Sequence, residues 1–173
     1  YNISAYTEPE CLIITDSDQI QVMRWGLIPS LTKSVEQVKK NDKANFYKNA
    51  RAEKIFNTWP YKYLIGHKRC IIPSTGFFEW HHDSLGHTTP YFIFLKDQEI
   101  FSIAGIWDSW INPDNRRIEN SFTMITTQAN PLMMEIHNGG KNPFRMPLVL
   151  TQEDENKWIN LDTTDHEITS LMK

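Results

Sequence analysis

Arg69-Cys-Ile-Ile-Pro-Ser-Thr-Gly-Phe-Phe-Glu-Trp80 is the stretch that decides the fold. It reads as strand, tight turn, strand. Cys70 to Ile72 is a short apolar run, Pro73 and Gly76 punctuate it, and Phe77 and Phe78 are good strand formers. A carboxylate, Glu79, then stands between Phe78 and Trp80. Strand side chains alternate, so Glu79 faces away from both neighbours and shares a face with Phe77. Among aromatic rings an ionised carboxylate is costly, which raises its pKa toward the range useful for proton transfer. The plainer alternative is a glutamate on the solvated face of an antiparallel strand, and this stretch leaves both open.

A chain of 173 residues holds one domain with a substantial core, so a single domain over 1–173 is expected. Hydrophobic content of 40% and aromatic content of 12% exclude a disordered chain. No apolar run approaches a membrane span and no signal-peptide pattern opens the sequence. Cys11 and Cys70 both lie in apolar strand-like runs. They read as buried free thiols of a reducing compartment, hence a cytoplasmic protein, with an intrachain disulfide as the alternative.

The net charge of −3 excludes a generally basic nucleic-acid binder. Its distribution is uneven. Residues 33–69 hold ten of the eighteen Lys and Arg against Glu36, Asp42 and Glu53, a local balance of +7. Such a segment is either a phosphate-facing flank or a solvated basic loop.

Upstream, Cys11–Ile14 and Gln19–Trp25 are expected to be strands joined by the turn Asp16-Ser17-Asp18. Trp25-Gly-Leu-Ile-Pro-Ser30 leaves the second strand, with Trp25 and Leu27 either at the core edge or on a loop tip able to stack on a base. Residues 31–48 are polar and Lys-rich without clean periodicity, which predicts a mobile surface loop. In Asn49-Ala-Arg-Ala-Glu-Lys54, Asn49 either caps a short helix or is displayed with Arg51, whose fork suits a phosphate. Thr58 to Gly66 predicts a short helix opened by Pro60.

Downstream, His81, His82, Asp83 and His87 match no zinc spacing, so no metal or cofactor is expected. Tyr91–Leu95 and Glu99–Trp107 predict a hairpin around Lys96-Asp97-Gln98, and Ser121–Thr127 a further strand. Asn130-Pro131 is a helix start, and Asn138-Gly-Gly140 ends that helix just past His137. Arg145–Leu150 predicts a strand, Thr151 opens a helix carrying Trp158, and a short one follows toward Lys173. Glu79, His137, Asn49 and Arg51 together suggest an acid–base site with one basic flank. They do not name a substrate.

At these residues the chain resembles the SRAP (SOS response-associated peptidase) family. The strings are Trp25-Gly-Leu-Ile-Pro, Asn49-Ala-Arg-Ala-Glu53, Arg69-Cys-Ile-Ile-Pro with Gly76-Phe-Phe-Glu-Trp80, and Ile136-His137 with Arg145-Met-Pro-Leu-Val-Leu150, in that order. Tyr1-Asn2 resembles part of a further family segment, and the similarity runs to about Trp158. The resemblance implies an α+β fold, a curved antiparallel barrel-like sheet with short flanking helices. It implies a monomeric abasic-site sensor that cross-links to single-stranded DNA, associated with the nucleoid when bound. The α-amine and thiol of a cysteine exposed by autoproteolytic removal of the initiator Met would close a thiazolidine on the sugar aldehyde. By matching position, Glu79 shuttles protons, His137 assists ring opening and cross-link reversal, and Asn49 positions the reacting centre. Arg51 grips the DNA backbone, and Asn2, Trp25, Leu27, Ser74, Thr75 and Arg145 complete the DNA contacts.

The chain departs from the family pattern in three places. It begins at Tyr1 without the nucleophilic cysteine, so it is expected to be part of a longer protein and not to form the thiazolidine alone. Leu31 stands where many members repeat a Trp. Gly139–Phe144 is inserted between His137-Asn138 and Arg145, where it either shifts His137 or adds a lip over the DNA. A thiol peptidase and a single-strand nucleic-acid binding module without a nucleophile are the competing readings.

Overall fold

The computed structural model describes residues 3–16 and 19–173. Asn2, an expected DNA contact, and the tip of the first expected turn lie outside the described residues. In chain order the elements are β1 (Glu10–Ile14), β2 (Ile20–Trp25), α1 (Val35–Lys43), β3 (Asn49–Arg51), β4 (Arg69–Ser74), β5 (Phe77–His82) and β6 (Thr88–Ile93). There follow β7 (Phe101–Ile111), β8 (Ile118–Gln128), α2 (Pro131–Ile136), β9 (Arg145–Pro147), β10 (Val149–Leu150), α3 (Gln152–Ile159) and α4 (Asp165–Leu171).

Five strands close on themselves. β1 pairs with β2 and β4, β4 with β7, and β7 with β8, all antiparallel, and β2 meets β8 in parallel to complete the ring. The α+β barrel with short helices is therefore present, but its sheet is mixed, because β3 also runs parallel to β8. One edge of β8 carries β2 and then β3; the other carries β7 and then β9. Thr126 consequently stands opposite both Arg51 of β3 and Pro147 of β9, so β8 joins the expected basic flank to the segment after His137.

The main core packs Leu27, Ala50, Ile71, Ala104, Ile106 and Ile125 against Ile55, Tyr61 and Ile65, with Trp158 and Ile168 arriving from α3 and α4. Arg69, 2% exposed, fastens α3 to β4. Its guanidinium donates to the carbonyls of Ile65 (2.7 Å), Gly66 (2.8 Å), Trp158 and Asn160. The Trp158 indole donates back to the Cys70 carbonyl at 2.9 Å.

Several expectations are corrected. The supposed mobile loop contains α1, a surface helix with no buried residue, which is why its sequence shows no apolar period. Ser34 caps it by accepting from Gln37 N–H, Glu36 lies in its first turn and Lys40 and Lys43 in its last. Asn49 is not a helix cap but the first residue of β3. Residues 58–66 form only a single 3-10 turn, Tyr61–Tyr63. β6 does not pair with β7: it pairs with β5, while β7 lies in the barrel. The Arg145–Leu150 stretch divides, β9 joining β8 and β10 joining β7. No helix among the described residues is long and apolar enough to cross a membrane.

The β5–β6 hairpin is thus a second, two-stranded sheet hung from the barrel by the turn after β4. Ser74 closes that turn, its hydroxyl donating to the Gly76 carbonyl (2.8 Å) and accepting the Gly76 N–H (3.2 Å). A Cβ at Gly76 would lie 2.3 Å from the Phe92 ring and 2.6 Å from the Ile93 carbonyl, so only glycine lets β6 fold back this closely.

Candidate active site

Strand alternation sorts the hairpin into two faces. Phe77 and its cross-strand partner Ile93 pack on Met133 and Ile136 of α2, a small apolar cluster separate from the barrel core. Asn130 caps α2 by accepting from Met133 N–H (2.9 Å), and Pro131 opens it, so the helix starts as its sequence dictates. Two residues beyond Phe77 on the same face is Glu79; one residue beyond Ile136 is His137. Docking the apolar pair therefore brings the polar pair together, with Glu79 Oε2 3.7 Å from His137 Nδ1 and both side chains about one-fifth exposed. Phe78 and Trp80, on the opposite face, are exposed.

Three further contacts hold the far end of β5. His81 Nδ1 lies 2.8 Å from the Glu135 carbonyl. Asn138 behaves like one peptide of a neighbouring strand: its amide oxygen accepts from His82 N–H (2.8 Å) and its amide nitrogen donates to the His82 carbonyl (2.9 Å). A Cβ at Gly139 would come within 2.4 Å of the His82 ring, so the chain must be bare there for Asn138 to reach. Asn138→Ala is expected to strip both His82 groups of their partner and lower stability by roughly 1–2 kcal/mol. Urea denaturation checks this, and an unchanged midpoint would show the clamp to be idle.

Burial raises the pKa of Glu79 above its ordinary value, and this outweighs the lowering by the His137 charge and by the Trp80 backbone N–H. The Glu79–His137 separation exceeds a hydrogen bond, so the pair interacts through space. The hydrogen bond of His137 Nδ1 goes to the Arg145 carbonyl at 2.8 Å. A carbonyl can only accept, so Nδ1 carries a proton and the neutral ring keeps its lone pair on Nε2.

The basic flank is arranged around β8. Arg145 makes a bidentate pair with Glu53 (2.8 and 3.0 Å) and donates to the Thr126 carbonyl (2.7 Å). Burial alone would raise the Glu53 pKa, but the Arg145 hydrogen bonds and charge lower it overall. Arg51 hydrogen-bonds Asn142 of the 139–144 segment. Asn49, two residues before it in β3, is exposed like Arg51, and alternation puts both on one face. Thr75 is exposed in the turn before β5, and Ser74 is half-buried.

Two expected DNA contacts are corrected. Leu27 is 3% exposed and sits in the barrel core, and Trp25 stacks on Phe122 with its indole donating to the Lys48 carbonyl (2.9 Å). The strand before them turns both inward, leaving Leu31, 73% exposed, at the loop tip. The local positive balance is also partly internal, because Lys48 is buried on Glu8 and Arg69 on backbone carbonyls. The roles of Asn138, Asn142 and Glu53 escaped the sequence. Only the Asn-Gly-Gly run hinted at a tight approach for the first.

Neither thiol suits nucleophilic work. Both cysteines are free and buried, and burial pushes Cys11 up to about 11 and Cys70 higher still. Among the described residues no cluster of His, Cys, Asp and Glu could hold a metal ion.

The sequence matches the family profile described as "SOS response associated peptidase (SRAP)" over residues 1–173. It is 35% identical over 178 residues to abasic site processing protein YoqW of Bacillus subtilis (strain 168), covering 100% of this chain and 72% of that protein. Abasic site processing protein YMR114C of Saccharomyces cerevisiae is 33% identical over 178 residues, covering 100% of this chain and 43% of that protein. Among solved structures, a Bacteroides thetaiotaomicron protein is similar at a TM-score of 0.93 and 44% identity, over 100% of this chain and 72% of that one. A Bordetella bronchiseptica protein follows at a TM-score of 0.80 and 27% identity, over 91% and 76%. A profile matched from end to end and relatives more than 30% identical across the whole chain lead to one conclusion: the chain belongs to the SRAP family.

Proposed function

We propose that this protein processes abasic sites in single-stranded DNA by capturing the opened sugar covalently. The observation that carries the reading is the partly buried Glu79–His137 pair, with Arg51, which shares a β3 face with Asn49, bonded to Asn142 in the segment that follows His137. An abasic sugar interconverts between a closed hemiacetal and an open aldehyde. A primary amine adds to the aldehyde carbon, and the nitrogen gives up a proton. The resulting hydroxyl leaves as water once protonated, giving an iminium whose nitrogen releases its remaining proton to leave an imine. The sulfur of a neighbouring thiol then adds to the imine carbon while the thiol proton passes to nitrogen, closing a thiazolidine.

In this reading amine and thiol belong to a cysteine upstream of Tyr1, at the mature N-terminus left by removal of Met. Protonated Glu79 supplies the proton to the departing water, a task favoured by the burial that raises its pKa. His137 takes the hydroxyl proton through Nε2 and returns one to the ring oxygen as the ring C–O bond breaks. Asn49 orients the sugar, Arg51 faces a phosphate while Arg145 stays paired with Glu53, and Ser74, Thr75 and Asn2 contact the backbone.

The test uses the full-length native gene product and single-stranded DNA bearing one abasic site. The expected result is an adduct that survives SDS, forms on abasic but not intact strands, and forms more slowly as salt rises. Salt-sensitive binding without any adduct would leave only a nucleic-acid binding module. The family description also carries the word peptidase. The raised pKa values of Cys11 and Cys70 speak against either as the nucleophile of such an activity.

A further inference from the structure

We propose that Phe144 is a stacking platform for the nucleobase next to the abasic sugar, a contact that rests on the abasic-site reading above. Phe144 closes the 139–144 segment and adopts φ +60°, the left-handed region that an aromatic residue rarely enters. Two backbone hydrogen bonds hold it there: its N–H donates to the His137 carbonyl (2.8 Å), and its carbonyl accepts from Ala129 N–H (2.9 Å). These bonds tie together the residues flanking the two ends of α2, and any residue could make them. Glycine would do so without strain.

The phenyl ring itself adds little to the fold. It is 47% exposed, belongs to none of the buried clusters and has no aromatic partner among the described residues. Strain without a packing return is characteristic of a residue kept for contact with something else.

Its position identifies the occupant. Two residues before it, Asn142 touches Arg51; directly after it, the Arg145 carbonyl holds His137 Nδ1. Phe144 lies in the chain segment that joins Asn142 on Arg51 to the Arg145 carbonyl on His137, between a phosphate held on Arg51 and a sugar at Glu79 and His137, and exposed Lys141 adds positive charge to that segment. An abasic sugar leaves the adjacent base without a stacking neighbour on one side. A fixed phenyl ring supplies that missing face without reading sequence.

The experiment compares the native gene product with Phe144→Gly and Phe144→Trp on single strands carrying 2-aminopurine beside the abasic site. Wild type and the Trp variant are expected to quench the probe. The Gly variant should not quench it and should bind at least about 5-fold more weakly, while its thermal midpoint holds or rises. If wild type forms the adduct and Phe144→Gly matches it in quenching and affinity, the platform is wrong and the abasic-site reading stands. A lower midpoint with unchanged DNA affinity overturns the platform too, by making the ring structural. If wild type forms no adduct, both fall together.

Discussion

Glu79→Gln is expected to bind abasic single-stranded DNA normally and to form the adduct about 10²–10⁴-fold more slowly, the range of general acid catalysis. The amide keeps the shape of the carboxyl and still fits beside His137, but it cannot protonate a leaving hydroxyl. Burial is the main reason Glu79 holds its proton to higher pH. The wild-type rate should therefore fall as pH rises through that raised pKa, a limb the Gln variant lacks. Single-turnover rates against pH, read from SDS-stable product, measure both effects. A Gln variant with the wild-type rate would remove Glu79 from the chemistry.

The same substitution should stabilise the fold. Between the ordinary carboxylate value of 4.5 and the raised folded value, the native state holds a proton that the unfolded chain has released. Stability therefore falls as pH climbs through this window and stays lower above it. Glutamine carries no such penalty. Glu79→Gln is expected to melt higher than wild type at neutral pH, with the difference closing on acidification toward 4.5. Opposite signs for stability and rate separate a functional carboxylate from one that merely fills a surface.

Much of this site was legible because strand and helix periods govern it locally. Alternation put Glu79 on the Phe77 face, and Asn130-Pro131 with Asn138-Gly-Gly140 bracketed the helix that ends at His137. What alternation cannot supply is partnership. β6 and β7 are consecutive apolar runs around a polar turn, yet each is better satisfied elsewhere, β6 on β5 and β7 between β4 and β8. For Leu27 and Trp25 core edge and loop tip both stayed open, because nothing local tells that Phe122 and the barrel core lie beneath them. α1 was missed for another reason: with no apolar stripe, its only marks are Ser34 three residues before Gln37 and the charges at its ends. The 139–144 segment carries no period at all, and its contact with Arg51 spans 91 positions of sequence.

His137→Ala is expected to slow adduct formation on an ordinary abasic site by roughly 10²-fold, and to leave the rate on an acyclic aldehyde analogue near wild type. The contrast follows from the assigned task. The closed hemiacetal must lose its hydroxyl proton before any aldehyde exists, and the analogue needs no such step. A complication arises from the second function of the ring, whose charge once protonated lowers the Glu79 pKa and whose Nδ1 bonds the Arg145 carbonyl. Removing it should push Glu79 further up, so the falling limb of the pH–rate profile on the analogue should move to higher pH. Equal slowing on both substrates would mean that His137 acts by holding Glu79 and Arg145 in place. A limb that does not move would mean that the two groups, 3.7 Å apart, do not sense one another.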